Sequence, residues 1–523
     1  MAQPVSCRRL STSRSPFALS CLAGGLVLTA LAAPRPAAAI ETLELRLFDL
    51  SFTVKVEELA NPEALFSGKS DLADLDRAVH GALGKRIGEL FLTPLPVQTS
   101  SMVRQSIGTP LVEQALLMAS SLTSVDGKPP RLITSDPTLE QALRQAAEKN
   151  NLTLLSLMRS LPGRSASIDL ERGISGLRRV QNQQRHGLEI VSSRPAVASS
   201  ALLSQPGPVP TQRLEASLAV PHRPKPLMVV VIRPVQGGNG HLVVISHGLW
   251  DGPESFEGWA QHLASHGYTV VLPVHPGSDS NQQRAMLSGE VPPPGPAELR
   301  LRPLDVTAVL NGITAGAVPS LGPVATDRVV VVGHSWGATT ALQLAGARPS
   351  SGRLMQRCTN VNDPDRNLSW VLQCSFLDSA DQAALSDPRV IAVAAVSPPL
   401  NLLFDFGSAD GMQARALLVT GSRDWVVTSG PEAIDRFGPV SLLGHKLVVA
   451  KGGDHFNLRG PTATAGGPLR ALLLGWADGA FAAGAGSRPS SGAPALLPPS
   501  GWGDASIPLV DATTASPTPR PTP

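Results

Sequence analysis

Arg328-Val-Val-Val-Val-Gly-His-Ser-Trp-Gly337 constrains this chain more than any other stretch. Four β-branched residues in a row favour a strand, because two heavy atoms on Cβ stiffen χ1 and suit a pleated surface. The run shows no polar alternation, which is the pattern of a strand covered on both faces, as in a parallel sheet. It breaks at Gly333-His334-Ser335-Trp336-Gly337, a G-x-S-x-G pentapeptide. Glycines on either side of the serine permit a sharp strand-to-helix turn that lifts the hydroxyl to the top of the sheet. Ala338–Ala345 follows, apolar on one side and free of helix breakers, as the helix behind such a turn requires.

The surrounding pattern supplies the rest of that sheet. Leu227–Ile232, Leu242–Ser246, Thr269–Val274, Arg328–Val332, Val390–Val396, Ala416–Thr420 and Lys446–Ala450 are short apolar runs, several separated by helix-length segments. Strands alternating with helices predict a mostly parallel, doubly wound sheet over residues 212–483. Before it, the pattern is mostly helical. Leu43, Leu45, Leu47 and then Phe52, Val54, Val56 alternate as a short hairpin turning near Asp49-Leu50-Ser51. Helices are then expected at Ser70–Leu83, Thr109–Leu122, Ser135–Glu148, Asn151–Leu161 and Asp169–Gln184. A chain of 523 residues exceeds one compact core, so a small helical domain over 40–190 is expected ahead of the sheet domain. A Ser/Pro/Ala/Gly-rich linker over 191–211 joins them, and the Pro- and Gly-rich residues 484–523 read as a disordered tail.

Residues 1–39 have the pattern of a secretory signal. Arg8, Arg9 and Arg14 precede an uncharged apolar run from Phe17 to Ala33, and Ala37-Ala38-Ala39 offers a cleavage site. The alternative is a retained membrane anchor. Removing this segment takes four arginines and no acid, leaving 40 basic against 41 acidic residues. That balance gives no footprint for nucleic acid. Of the four cysteines, Cys358 and Cys374 remain, 16 residues apart. In an exported, periplasmic or extracellular protein they are expected to pair as a disulfide, two buried thiols being the alternative.

Three further features sit where a serine nucleophile needs them. Val243-Val-Ile-Ser-His247-Gly248-Leu249-Trp250 is a strand ending in H-G-x, a loop whose backbone N–H can help hold an oxyanion. The amides of Leu249 and Trp336 are therefore the candidate oxyanion donors, with the His247 side chain bracing the loop. Asp424 follows the strand Ala416–Thr420 and is the candidate acid. His455 follows the strand Lys446–Ala450 in a glycine-rich loop and is the candidate base, giving the order Ser335, Asp424, His455. Asp378 and Asp405 are rival acids better read as surface residues. His262 and His266 stand four apart on a helix, but no third ligand accompanies them, so a solvated face is expected rather than a metal site. No cofactor is implied.

Residues 212–480 resemble the platelet-activating-factor acetylhydrolase type of α/β-hydrolase. The resemblance rests on Ser246-His-Gly-Leu249, His275-Pro-Gly277, Arg302-Pro-Leu-Asp305 and Gly333-His-Ser-Trp-Gly337. Residues 41–185, including Ile168-Asp-Leu-Glu-Arg-Gly173, resemble an uncharacterised N-terminal domain of cyanobacterial hydrolases described as predicted dienelactone hydrolases. The resemblance implies an α/β-hydrolase fold preceded by a mostly helical domain, a Ser-His-Asp mechanism, and a small-molecule or lipid ester as substrate. Two departures stand out. The acetylhydrolase family takes its acid from the end of the sixth strand, where this chain has Val396-Ser-Pro-Pro399, and dienelactone hydrolases use a cysteine where this chain has Ser335. The segment Cys358–Cys374 falls where this fold inserts a lid; Trp370, Leu372, Phe376 and Leu377 are the candidates to line an acyl pocket there, and a passive surface insertion is the alternative.

The expectation is thus an exported serine carboxylic-ester hydrolase for short or medium acyl esters or phospholipid-type esters, with peripheral contact to a lipid surface. A thioesterase or peptidase using the same three residues is the enzymatic alternative. An alternative of another class makes residues 40–190 a docking module for an envelope partner.

Overall fold

The computed structural model describes residues 40–94, 100–127, 137–148, 152–161, 163–318, 321–405, 407–437, 443–484 and 488–514. The leader expected at residues 1–39 and the last nine residues lie outside them. Among the described residues no helix is long and apolar enough to cross a membrane.

Among the described residues thirteen strands form two sheets. In chain order they are β1 Thr42–Leu47, β2 Leu50–Lys55, β3 Thr123–Val125, β4 Ser165–Asp169, β5 Thr211–Leu218, β6 Leu227–Pro234, β7 Leu242–Ser246, β8 Thr269–Pro273, β9 Val329–His334, β10 Val390–Val396, β11 Arg415–Gly421, β12 Lys446–Ala450 and β13 Leu509–Asp511. The larger sheet runs β13-β12-β11-β10-β9-β7-β8-β6-β5. Its centre, from β8 to β12, is parallel, and β5, β6 and β13 are antiparallel at the edges. Strand order reverses between β7 and β9, which opens a crevice at the carboxyl ends of those two strands.

The valine run explains its own lack of alternation. Val329 and Val331 join a core cluster on one face of the sheet, with Leu299, Val306 and Val309 of helix Glu298–Thr314. Val330 and Val332 join a second cluster on the other face, with Trp259 and Leu263 of helix Glu257–Ser265 and Leu472 and Trp476 of helix Arg470–Ala483. All six residues of β9 are buried. Each buried valine contributes on the order of 1.5–3 kcal/mol, so a central strand of this kind is held strongly on both sides.

The N-terminal region is partly helical, and its hairpin β1–β2 grows into a four-stranded sheet, order β2-β1-β4-β3. The short strands β3 and β4 were not expected. β4 carries polar alternation on a half-exposed surface, so composition hid it. Helix Leu170–Ser193 starts at Asp169, whose side chain accepts from the Arg172 amide at 2.9 Å. Its buried residues, Gln183, Gly187, Ile190 and Val191, fall at one-face spacing in the C-terminal half. That half docks on the larger sheet's loops, and Gly187 permits the close approach, since a Cβ would stand 2.5 Å from Ser429 Oγ.

The segments expected as linker and disordered tail are corrected where the structure describes them. β13 pairs with β12, and Leu496, Leu497, Trp502, Leu509 and Val510 are buried. Residues 196–205 pack against this stretch: Val197 N donates to Leu509 O and Ser200 N to Gly501 O. Proline and glycine content signalled disorder, but five large apolar residues suffice to cover the β12 edge and helix Arg470–Ala483. His262 and His266 are also reassigned. Their Nε2 atoms donate to Leu203 O at 2.8 Å and Gln205 O at 3.1 Å, so they clamp the former linker rather than forming a solvated face, and His262 is buried.

Candidate active site

Ser335 sits between β9 and helix Trp336–Leu344 with φ 54° and ψ −120°, a conformation non-glycine residues seldom adopt. Such backbone persists only where surroundings force it, at about 1–3 kcal/mol. Here they do. The Ser335 amide donates to Val396 O on β10 at 2.9 Å. A Cβ on Gly333 would lie 2.0 Å from Gly337 O, and one on Gly337 would lie 1.9 Å from Ser246 O, so both glycines are required.

The loop after β7 closes against this turn. A Cβ on Gly248 would approach Ser335 Cβ to 3.2 Å, which brings the backbone of residues 247–249 beside the serine. Among the described residues, neither the Leu249 amide nor the Trp336 amide has a hydrogen-bond acceptor. The Trp336 amide opens its helix, where N–H groups have no intrahelical partner and favour negative charge.

Beneath this loop lies a buried polar network assembled from the H-G-L, H-P-G and R-P-L-D segments. Asp305 accepts from His275 Nδ1 at 2.8 Å, His222 Nε2 at 2.8 Å and Arg223 Nη2 at 2.6 Å. His275 Nε2 faces Ser246 Oγ at 3.0 Å. The His275 amide donates to His247 Nε2 at 3.1 Å, and Arg302 donates to His247 O while lying 4.7 Å over the Trp336 ring. Burial pushes the His275 imidazole down to about 4 and the Arg302 guanidinium down to about 9. Burial would raise the Asp305 carboxyl, but hydrogen bonds from His275 and Arg223 outweigh it and hold the group at about 2. Ser246, His275 and Asp305 have the order of a relay yet no exposure at all, so they brace the loop and meet no substrate. His247 is likewise buried and kept neutral by desolvation.

On the other side of Ser335, Asp424 and His455 meet. His455 Nδ1 lies 3.0 Å from Asp424 Oδ2. Asp424 Oδ1 accepts from the Val426 and Val427 amides at 2.9 and 2.8 Å, which fixes the carboxylate while burying it fully. His334 was not singled out from sequence, and it holds the histidine loop: its Nε2 donates to His455 O at 2.9 Å. Burial keeps the His334 pKa well below its ordinary value, so the ring is a neutral donor. The signal was its place as the x before the serine, which alone names no partner.

Ser335 and His455 line one cavity of about 730 Å³, together with Leu249, Trp250, His334 and Arg459. An imidazole with its other nitrogen held by a carboxylate, in one cavity with a hydroxyl, can take a proton, and two unpaired amides can stabilise a developing oxyanion. Asp405 accepts from Ser350 and Asp378 is exposed, and neither lines this cavity.

Residues 241–388 match the family model of the alpha/beta hydrolase fold. With the nine-stranded sheet and its serine turn, that decides the architecture. The fold is an α/β-hydrolase fold. No curated protein matches the chain.

Within the hydrolase fold, Cys358 and Cys374 are disulfide-bonded. The clipped segment meets the cavity through Leu368, Ser369, Val371 and Leu372. Trp370 and Phe376, expected in the pocket, are buried in the core instead: Arg357 and Arg366 cover the Trp370 ring at 5.0 and 5.2 Å, and Phe376 packs on Trp336 at 4.8 Å. Trp425 and Phe456, next in sequence to Asp424 and His455, line the cavity and stand half exposed.

Proposed function

We propose that this hydrolase is a serine carboxylic-ester hydrolase. The observation that carries the reading is the shared cavity of Ser335 and the Asp424-paired His455, with the serine on a forced turn. In this mechanism Ser335 Oγ attacks the ester carbonyl carbon while His455 Nε2 takes its proton. The Leu249 and Trp336 amides hold the tetrahedral oxyanion, and Asp424 stabilises the imidazolium. Collapse breaks the ester bond, His455 returns the proton to the leaving alcohol, and water then releases the acid from Ser335 by the same steps.

The apolar character of the lining residues favours an acyl chain larger than acetyl, and a phospholipid-type ester belongs among the substrates to be tried. We also infer an exported protein. The leader pattern of residues 1–39 supports this, and a disulfide suits an oxidising compartment.

The test is a panel of p-nitrophenyl esters of graded acyl length beside thioester and anilide analogues, run on wild type, Ser335→Ala and Asp424→Asn. Ester turnover should exceed anilide turnover and fall by on the order of 10⁴ in Asp424→Asn. Preference for the thioester or the anilide would move the assignment to a thioesterase or a peptidase. Unchanged ester turnover in Ser335→Ala would overturn it.

A further inference from the structure

Helix Pro110–Ser120 is apolar on most of its circumference, with Leu111, Val112, Ala115, Leu116, Leu117, Met118 and Ala119 interrupted only by Glu113 and Gln114. A helix of that composition must cover itself against something. The core of its own N-terminal region, built from residues such as Leu43, Val54, Leu72 and Leu155, includes none of it. Leu111 instead joins the core of the hydrolase sheet, and the helix packs against Ser369–Cys374 of the clipped segment.

Its remaining apolar face opens into the cavity that holds Ser335. Leu111 and Ala115, and Val112 and Leu116, lie four residues apart on that face and line the cavity. Met102 and Ile107 of the preceding turn and helix Ser100–Ser106 continue the wall, and Gln105 Nε2 ties that helix to Gly289 O at 2.6 Å. Ala115 is exposed although it faces the cavity, so the wall is unfilled at its smallest side chain. A volume of about 730 Å³ holds on the order of twenty non-hydrogen atoms. Among the described residues, the two cavity charges that could meet a head group, Asp251 and Arg459, already pair with each other at 3.3 Å.

We propose that helix Pro110–Ser120 of the N-terminal region is the acyl-binding wall of the active site, selecting neutral esters by chain length at Ala115 and Leu116. The inference rests on the ester-hydrolase reading and extends it: a region expected as a helical domain of undisclosed role supplies the specificity surface. Apolar contact with an unfilled wall strengthens as the chain lengthens, by roughly fourfold for each methylene removed from water. Filling the wall removes that gain for long chains first.

The experiment measures the rate of Ser335 labelling by ethyl and decyl fluorophosphonates in the full chain. Wild type should react faster with the decyl probe. Ala115→Trp should cut the decyl-to-ethyl ratio at least tenfold, and Leu116→Ala should change the ratio less than Ala115→Trp does. If Ala115→Trp does not fold, as read from its melting transition, Ala115→Leu replaces it with a smaller expected drop of threefold or more. An unchanged ratio in a folded variant overturns the wall while leaving the ester reading intact. Absence of any Ser335 adduct in wild type overturns the ester reading itself, and the wall with it.

Discussion

Gln184 Nε2 donates a hydrogen bond to the main-chain oxygen of Asp424 at 3.0 Å, joining residues 240 apart in sequence. Its neighbour Gln183 reaches Pro364 O at 2.8 Å and accepts from Thr428 Oγ1 at 2.8 Å. Helix Leu170–Ser193 thus splints both the Asp424 loop and the clipped segment, so the N-terminal region bears directly on the candidate active site.

The splint gives the first prediction. Gln184→Ala should lower kcat on a short ester by roughly tenfold with little change in KM, because a small displacement of a positioned group costs that much or more. Deleting residues 41–190 should abolish turnover. Steady-state kinetics on the two variants check this, and full turnover by the truncated chain would favour the docking-module alternative.

The loop after β7 gives the second. Gly248→Ala puts a methyl 3.2 Å from Ser335 Cβ without requiring a strained φ. Its melting temperature should stay near wild type while kcat falls on the order of 10²-fold, the scale of losing one oxyanion donor. Gly337→Ala should instead fail to fold, since its Cβ would collide with Ser246 O at 1.9 Å.

The buried brace gives the third. Asp305→Asn takes the carboxylate from His275 and leaves Arg223 paired with Glu298 alone, and should destabilise by about 3–5 kcal/mol, read from the urea midpoint. Activity per folded molecule should fall less than for Asp424→Asn, because Asp305 meets no substrate.

Acid stability gives the fourth. His262, His275 and His445 are each pushed down to about 4 by burial, from an ordinary 6.5. The folded state therefore binds fewer protons than the unfolded chain below pH 6.5, so the stability these groups contribute is full above 6.5 and drains as pH falls towards 4. Asp305, held at about 2 against 3.8, adds a further loss of roughly 2 kcal/mol between those values. Melting temperature measured from pH 7.5 to 3 should be flat at first and then fall steadily. Stability that rises on acidification would contradict the packing of these histidines.

The central strands were legible in the sequence because burial on both faces leaves an unbroken apolar run, as in β9 and β10. The edge strands β5 and β13 were not. Thr211–Leu218 alternates with charges on a half-covered edge, and Leu509–Asp511 is three residues inside a Pro- and Gly-rich stretch. The pairing of Asp424 with His455 was anticipated from loops that end strands. His334 and Gln184 were not, since what they hold is a backbone oxygen, and a partner of that kind leaves no residue-type signature. The pocket-forming role of Pro110–Ser120 was equally hidden: periodicity shows that a helix has an apolar face, not what covers it.

The most direct measurement is the mass of the protein after reaction with a fluorophosphonate, followed by location of the adduct. Wild type should gain one adduct on the peptide containing Gly333–Gly337, and Ser335→Ala should gain none. An adduct that persists in Ser335→Ala, or a wild type that never reacts, contradicts Ser335 as the nucleophile.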